Sequence, residues 1–154
     1  MSTLLEHEDG REPLKVILVE DDDVDARAVR RAFDKAGVLN EILRVCDGVE
    51  ALELLRSEKG LSAPPKPWVL LVDINMPRMN GLDFVRELRA DPALKDSVVF
   101  ILTTSNLDED KAQAYDLNVA GYIVKSRAGE EFLKLADLLG SYWRLVELPS
   151  GDGL

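Results

Sequence analysis

Five short apolar runs along the chain alternate with segments whose apolar residues recur at helical spacing. The runs are KVILVE, ILRV, WVLLVD, VVFIL and GYIVK. The first and third are continuously apolar and rich in β-branched residues, which is typical of strands buried on both faces. Segment 25–36 is typical of the intervening helices, because its apolar side chains share one face.

Strands that alternate with helices through short connections predict an α/β fold, a doubly wound sandwich around one parallel sheet. The arrangement that fits best is the flavodoxin-like (βα)5 fold with five strands in the order 2-1-3-4-5. In that fold, ligands bind at the carboxyl edge of the sheet, where the strand order reverses between the first and third strands.

Turn and capping residues predict where the helices begin and end. We expect Gly37 to end the first helix, which begins at Asp25, and Asp47 to cap a second helix that ends at Gly60. The proline-rich LSAPPKP segment should be a loop, MPRMNG a turn and GLDFVRELRA the third helix. The remaining expectations are an amphipathic fourth helix in DEDKAQAYDLNVA, capped by Asn106 or Asp108, and a last helix over 129–146.

Length and composition indicate one domain of 154 residues. We expect a flexible tail over 1–13, the folded domain with an extended C-terminal helix over 14–148, and a disordered end over 149–154. Cys46 is the only cysteine, so no intrachain disulfide forms and a cytoplasmic location is expected. The net charge of -10 argues against nucleic acid and anionic membrane surfaces as partners, and no apolar stretch is long enough to span a bilayer.

Polar residues follow four of the apolar runs directly. Glu20 and Asp21 follow the first, Asp73 the third, Thr103 the fourth and Lys125 the fifth. Because the carboxyl ends of parallel strands share one edge, these side chains should meet there. A cluster of carboxylates is costly unless a metal cation and the lysine ammonium offset its charge. The pattern therefore predicts a site that binds or transfers phosphoryl groups.

Each of these residues also has a purely structural interpretation. Asp73 could be a helix N-cap, Thr103 or Thr104 could cap the next helix, and Lys125 could extend to solvent. Tyr122 could be a half-exposed packing ring. For Asp23 and Asp25 the structural interpretation, stabilisation of a helix N-terminus, is the one we adopt.

The functional interpretation gives Asp73 a chemical role. A carboxylate can act as a nucleophile toward phosphorus and form an acyl phosphate. Glu20 and Asp21 provide hard oxygen ligands of the kind that Mg²⁺ prefers, and the turn after Asp73 presents the backbone carbonyl of Asn75 to the metal.

These residues and spacings resemble the receiver domain of bacterial two-component response regulators. The motifs are the acidic pair in LVED, DINMPRMNG, TT after the fourth strand and GYIVK at the fifth, and the resemblance runs from about Lys15 to Leu139. It implies that a partner histidine kinase phosphorylates Asp73 in a process that the receiver itself catalyses. The implied site residues are Asp73, Lys125, Thr103 and Thr104 around the phosphoryl group, Thr103 with Tyr122 as a switch pair, and Glu20, Asp21, Asp73 and the carbonyl of Asn75 as Mg²⁺ ligands.

A narrower resemblance is to the stand-alone receivers that partner bacterial and cyanobacterial phytochromes. It rests on the proline-rich insertion and on the C-terminal segment SYWRLVELP, and it implies a phytochrome kinase as partner and a homodimer. Tyr142 and Trp143 are the expected interface anchors. The alternative is a C-terminal segment that folds back on its own domain.

His7, the only histidine, lies in the N-terminal tail, so the phosphoryl donor should come from another chain.

Three positions depart from the family pattern. Glu20 replaces the commoner aspartate and could reach the metal through water. Ser126 replaces the proline that usually follows the lysine, which changes the local backbone geometry expected there. Thr104 replaces a smaller residue, and we expect it to narrow access to Asp73 and to slow phosphotransfer from small donors.

Two other functions remain as alternatives. A degenerate receiver would bind partners without phosphate, although it would not need the acidic pair, Thr103, Asp73 and Lys125 together. A phosphatase with an aspartate nucleophile usually carries a second aspartate where this chain has Asn75, and no cap domain is present. A DNA-binding output is not expected, since only PSGDGL follows Leu148.

Overall fold

Strands and helices alternate strictly along the part of the chain that the structure describes. This computed structural model describes residues 14–38, 40–125 and 130–145, with side chains up to residue 141. The strands are β1 (Lys15–Val19), β2 (Ile42–Val45), β3 (Trp68–Val72), β4 (Val98–Thr103) and β5 (Gly121–Val124). The helices are α1 (Asp23–Lys35), α2 (Gly48–Leu55), α3 (Gly81–Ala90), α4 (Asp108–Asp116) and α5 (Glu130–Leu145).

The five strands form one parallel sheet in the order β2-β1-β3-β4-β5. The register aligns Val19 of β1 with both Val45 of β2 and Val72 of β3, so these three strands end at the same level. Every residue of β3 is buried, as expected for a central strand covered on both faces. The predicted flavodoxin-like fold and strand order are confirmed.

The two faces of the sheet are covered by different helices. Alternate strand residues point to opposite faces, so each strand contributes to two separate apolar cores. One core joins the sheet to α1 and α5, and the other joins it to α2, α3 and α4. With both faces covered, polar side chains of the central strands can reach solvent only at the ends of those strands.

Two helix boundaries differ from the sequence-based expectation. The first helix begins at Asp23 and not at Asp25, because the Asp22 carboxylate accepts hydrogen bonds from the backbone N–H groups of Val24 and Asp25 and so caps it. The second helix ends at Leu55 and not at Gly60. Ser57 and Lys59 both adopt positive φ values, which a continuing right-handed helix does not allow. Gly37 follows the first helix with a φ of 77°, as its predicted role requires.

The fourth helix is not the capped amphipathic helix that the sequence suggested. Neither Asn106 nor Asp108 is its N-cap; that position is Leu107, which makes no side-chain capping bond. Ala114 is the buried side chain of this helix, whereas Tyr115 is 53% exposed. The apolar residues of this segment therefore do not form a continuous stripe toward the sheet. The helix α4 buries little side-chain surface against the rest of the domain.

The last helix packs on the sheet through one face of the part whose side chains the structure describes. Phe132, Leu135, Ala136 and Leu139 are buried against the core, whereas Leu138 is 48% exposed. Its observed limits agree within one residue with the predicted range of 129–146. The side chains of Tyr142 and Trp143, predicted as interface anchors, lie outside the described residues, as do Ser126 and the segments 1–13 and 146–154.

Asp47 connects α2 to the loop that follows β3. Its carboxylate accepts the backbone N–H of Glu50 at 2.9 Å, which confirms its predicted capping role. It also accepts two hydrogen bonds from the Arg78 guanidinium, at 2.8 and 3.1 Å. Burial favours a raised pKa, but these hydrogen bonds outweigh it and lower the pKa of Asp47.

Replacement of Asp47 by Ala should reduce the free energy of unfolding by about 1–2 kcal/mol at neutral pH, since it removes a cap and an ion pair. Asp47→Asn keeps the cap and should cost less. A carboxyl group with a lowered folded-state pKa stabilises the protein above its unfolded value of 3.8, and this contribution is lost as the pH falls through the folded-state value. Urea denaturation at neutral and acidic pH measures both effects. A cost for Asp47→Ala that stays constant into acid would contradict the ion pair.

Candidate functional site

Three carboxylates meet at the carboxyl edge of the sheet. Glu20 and Asp21 follow β1 and Asp73 follows β3, and one oxygen from each lies within 4.8 Å of the others. Glu20 and Asp73 are buried, whereas Asp21 is exposed. The cluster predicted from the sequence is therefore present, and it opens to solvent at Asp21.

The backbone at this edge continues the sheet beyond the last strand residues. The N–H of Asp73 donates to the carbonyl of Val19 at 3.0 Å, and the N–H of Glu20 donates to the carbonyl of Val45 at 3.0 Å. These bonds fix the backbone of Asp73 relative to β1 and the backbone of Glu20 relative to β2. The start of α3 also approaches closely, because a Cβ atom at Gly81 would collide with the backbone of Asp73 and Ile74. Glycine at this position lets the loop after Asp73 fold tightly over the edge.

Lys125 brings a buried ammonium to the carboxylates. The backbone N–H of Lys125 donates to the backbone carbonyl of Thr103 at 2.7 Å, so this residue extends the pairing of β4 with β5. The ammonium donates to Glu20, and to Oδ2 of Asp25 at 2.8 Å. Oδ2 of Asp73 is 3.7 Å from the same nitrogen. The side chain of Lys125 is only 4% exposed, so it does not extend to solvent.

Burial and mutual charge shift the protonation of this group of residues. Burial raises the pKa of Glu20 to about 7, and the charge on Asp73 adds to the rise, against the hydrogen bond from Lys125. For Lys125 burial favours the neutral amine, but the hydrogen bonds to Asp25 and Glu20 outweigh it, and the pKa is raised. At neutral pH, Lys125 is therefore a cation, whereas Glu20 is close to its titration point.

The donor set fits a divalent cation. Oδ1 of Asp73 is buried and has no hydrogen-bond partner among the described residues, which is costly for a carboxylate oxygen unless another group binds it. Glu20, Asp21 and Asp73 offer the hard oxygen ligands that Mg²⁺ and Mn²⁺ prefer. Asn75, whose carbonyl is the other predicted ligand, lies two residues after Asp73 in the β3–α3 loop. A cation bound here would offset the repulsion between these carboxylates and an incoming anion.

The hydroxyl residues occupy different environments after β4. Thr103, at the end of the strand, is fully buried, and its Oγ1 accepts the N–H of Ser105 at 3.3 Å. Thr104 is exposed. The ring of Tyr122 is half-buried against the core, and its hydroxyl donates to the carbonyl of Ser105 at 2.9 Å. Burial of the ring raises the pKa of Tyr122.

Two residues of this region were missed by sequence reasoning. Asp25 was interpreted only as helix N-terminal charge, although it also pairs with Lys125. Ser105 was assigned no role, yet it bonds both Thr103 and Tyr122, and its hydroxyl donates to Asp110 of α4 at 2.5 Å. The helical period of α1 was the available signal for Asp25, because it sets this residue on the same face as Val29 and Ala32, which are buried. No sequence signal distinguishes Ser105 from an ordinary loop serine.

Comparison with known proteins identifies the family to which this site belongs. Residues 16–137 match the family described as the response regulator receiver domain. The chain belongs to this family. Receiver domains bind a divalent metal and are generally not classical enzymes, which leaves the aspartate phosphatase interpretation without support.

The relatives include response regulators of phytochromes. The response regulator Rcp1 of Synechocystis sp. is 30% identical over 93% of this chain and 98% of its own. The phosphorylated cyanobacterial phytochrome response regulator RcpA has a similar structure, with a TM-score of 0.79 and 34% identity over 88% of this chain and 98% of RcpA. The Mn²⁺-bound form of Rcp1 gives a TM-score of 0.75 with 29% identity over 88% and 99% of the two chains. The narrower resemblance inferred from the sequence is confirmed as a similarity to these regulators.

No helix among residues 14–38, 40–125 and 130–145 has both the length and the apolar character needed to cross a membrane.

The affinity of this receiver domain for a divalent metal should increase with pH up to about 7, because Glu20 must lose its proton before its carboxylate can bind the ion. Calorimetric titration with Mg²⁺ and with Mn²⁺ across this range measures the effect. Glu20→Gln should flatten the pH dependence and weaken binding by about tenfold or more. Asp34→Asn, at the other end of α1, removes the same charge outside the site and is the control. A Glu20→Gln protein with the pH profile of the unmodified protein would contradict this role for Glu20.

Proposed function

We propose that this receiver domain accepts a phosphoryl group on Asp73 from a phosphohistidine of a partner kinase. The observation that carries the proposal is the state of the Asp73 carboxylate. One of its oxygens is buried and has no hydrogen-bond partner in the part of the chain that the structure describes, and the other is 3.7 Å from the ammonium of Lys125. A carboxylate held in this way can bind a metal ion through one oxygen and bond phosphorus through the other, with the ammonium of Lys125 beside it to receive the charge of the transferred group.

The chemistry assigned to Asp73 is a single displacement. A carboxylate oxygen forms a bond to phosphorus while the bond between phosphorus and the donor imidazole nitrogen breaks, and the imidazole keeps the electron pair. The protein contributes mainly position and electrostatic stabilisation to such a transfer. Lys125 would follow the negative charge, moving from the carboxylates toward the new phosphoryl oxygens. The same groups would later assist hydrolysis of the acyl phosphate.

Mg²⁺ is the proposed metal, held by Glu20, Asp21, Asp73 and the backbone carbonyl of Asn75. The three carboxylates lie close enough to share one ion, and Mg²⁺ typically keeps several waters that can be exchanged for phosphoryl oxygens. Exposure of Asp21 supports an entry path from solvent.

The switch that we propose runs through Ser105. Thr103 would move toward a phosphoryl group on Asp73 to donate a hydrogen bond. Its Oγ1 is bonded to the N–H of Ser105, whose carbonyl accepts from Tyr122 and whose hydroxyl donates to Asp110. Movement of Thr103 would therefore be transmitted to the Tyr122 ring and to the N-terminal turn of α4. A coupling of about 1–3 kcal/mol would change partner affinity by about 5- to 150-fold.

The proposed partners are a histidine kinase of the phytochrome type and a second copy of the chain. The first rests on similarity to Rcp1 and RcpA. The second draws support from apolar side chains exposed on α4 and α5, among them Tyr115 and Leu138. Output would then pass through protein–protein contacts or through onward transfer of the phosphoryl group.

Titration with beryllofluoride in the presence of Mg²⁺ tests this function, with tryptophan fluorescence and sedimentation followed together. We expect saturable binding that is lost in Asp73→Asn, because the fluoride complex occupies the place of a phosphoryl group on that carboxylate. A change in mass on binding would link the site to self-association.

Asp34→Asn, which removes the same charge away from the site, should bind like the unmodified protein. Failure of the unmodified protein to bind would contradict the proposal. It would favour instead the degenerate receiver that binds its partners without phosphate.

A further inference from the structure

Asp25 lies in the first turn of α1, outside the group of carboxylates that can share a metal ion. That group consists of Glu20, Asp21 and Asp73. Asp25 nevertheless reaches the site, since its Oδ2 accepts a hydrogen bond from the ammonium of Lys125 at 2.8 Å. Its side chain is 32% exposed, in contrast to the 4% of Lys125.

Three carboxylates compete for the charge of Lys125. The ammonium donates hydrogen bonds to Glu20 and Asp25, whereas its 3.7 Å separation from Asp73 is too long for a hydrogen bond. Two of its three N–H donors are thus engaged by residues that precede and begin α1. The ammonium that would donate a hydrogen bond to a phosphoryl oxygen is therefore held near α1 and away from Asp73.

The two competing carboxylates differ in how readily they can release the lysine. Glu20 is 2% exposed, so in the metal-free site loss of Lys125 would leave a buried carboxylate without a cation. Asp25 is partly exposed and belongs to the first turn of a helix, where water and the helix dipole stabilise negative charge. Asp25 can therefore give up Lys125 at a much lower cost.

We propose that Asp25 is a positioning residue that holds Lys125 back from Asp73 and releases it when a phosphoryl group arrives. This inference rests on the proposed function and adds a regulatory element to it. Asp25 lowers the affinity of the site for the phosphoryl group, both by competing for the lysine and by adding a negative charge nearby. It thereby favours the unphosphorylated state.

The chain offers a matched control for this residue. Asp23 lies two positions earlier in the same helical turn, and its carboxylate pairs with Arg44 and not with Lys125. Replacement of either aspartate by Asn removes one negative charge from the N-terminus of α1. Only the change at residue 25 removes a charged competitor for the lysine.

The test compares beryllofluoride affinity, with Mg²⁺ present, among the unmodified protein, Asp25→Asn and Asp23→Asn. Asp25→Asn should bind about 2- to 5-fold more tightly than Asp23→Asn, the range expected for loss of one partly exposed ion pair. Equal binding by the two variants, or weaker binding by Asp25→Asn, would overturn the inference. Absence of binding in all three proteins would overturn the proposed function and this inference with it, so the two failures are distinguishable.

A second measurement reports the pairing of the lysine directly and needs no phosphoryl mimic. The ¹⁵N resonance of the Lys125 ammonium should shift in Asp25→Asn and remain in place in Asp23→Asn. A purely structural role of Asp25 in the helix would affect both variants alike through the stability of α1. Asp25→Glu, which retains the charge, should restore affinity toward that of the unmodified protein; failure to do so would count against charge competition.

Discussion

The buried ammonium of Lys125 offsets part of the negative charge at the carboxyl edge of the sheet. Carboxylates from the end of β1, the end of β3 and the first turn of α1 approach within 4 Å of it. Without this cation, burial of Glu20 beside Asp73 would be strongly unfavourable. Three carboxylates thus share one ammonium at this edge. A phosphoryl group that arrived there would be a fourth anion competing for the hydrogen bonds of Lys125.

The architecture explains where this site lies and supports the proposed route from it to the surface. The central strands are covered on both faces, so charged residues can be placed only where the strands end. From that edge, hydrogen bonds lead through Ser105 to Tyr122 and to Asp110 in α4. That helix buries Ala114 and exposes Tyr115, so moving the helix would expose little additional apolar surface. Under the proposed switch, a small movement at Thr103 would therefore reach a helix that can be displaced at little cost in apolar burial.

The sequence was sufficient for the sheet and for most of the site, because strand ends in a parallel sheet share an edge and polar residues after apolar runs stand out. It was insufficient where tertiary contacts decide between two local roles. Asp25 satisfies the rule for a helix N-terminus and also binds Lys125, which follows a strand one hundred residues later. The fourth helix has no side-chain cap because its N-cap residue, Leu107, has no polar side-chain atom, and the second helix stops early at residues with positive φ.

The most direct test of the account is to locate the phosphoryl group itself. The protein would be treated with acetyl phosphate and Mg²⁺, the acyl phosphate trapped by reduction, and the modified residue identified by peptide mass spectrometry. The account predicts modification at Asp73 that requires the metal and disappears in Asp73→Asn. Modification at another carboxylate in the unmodified protein, or none at all, would contradict it.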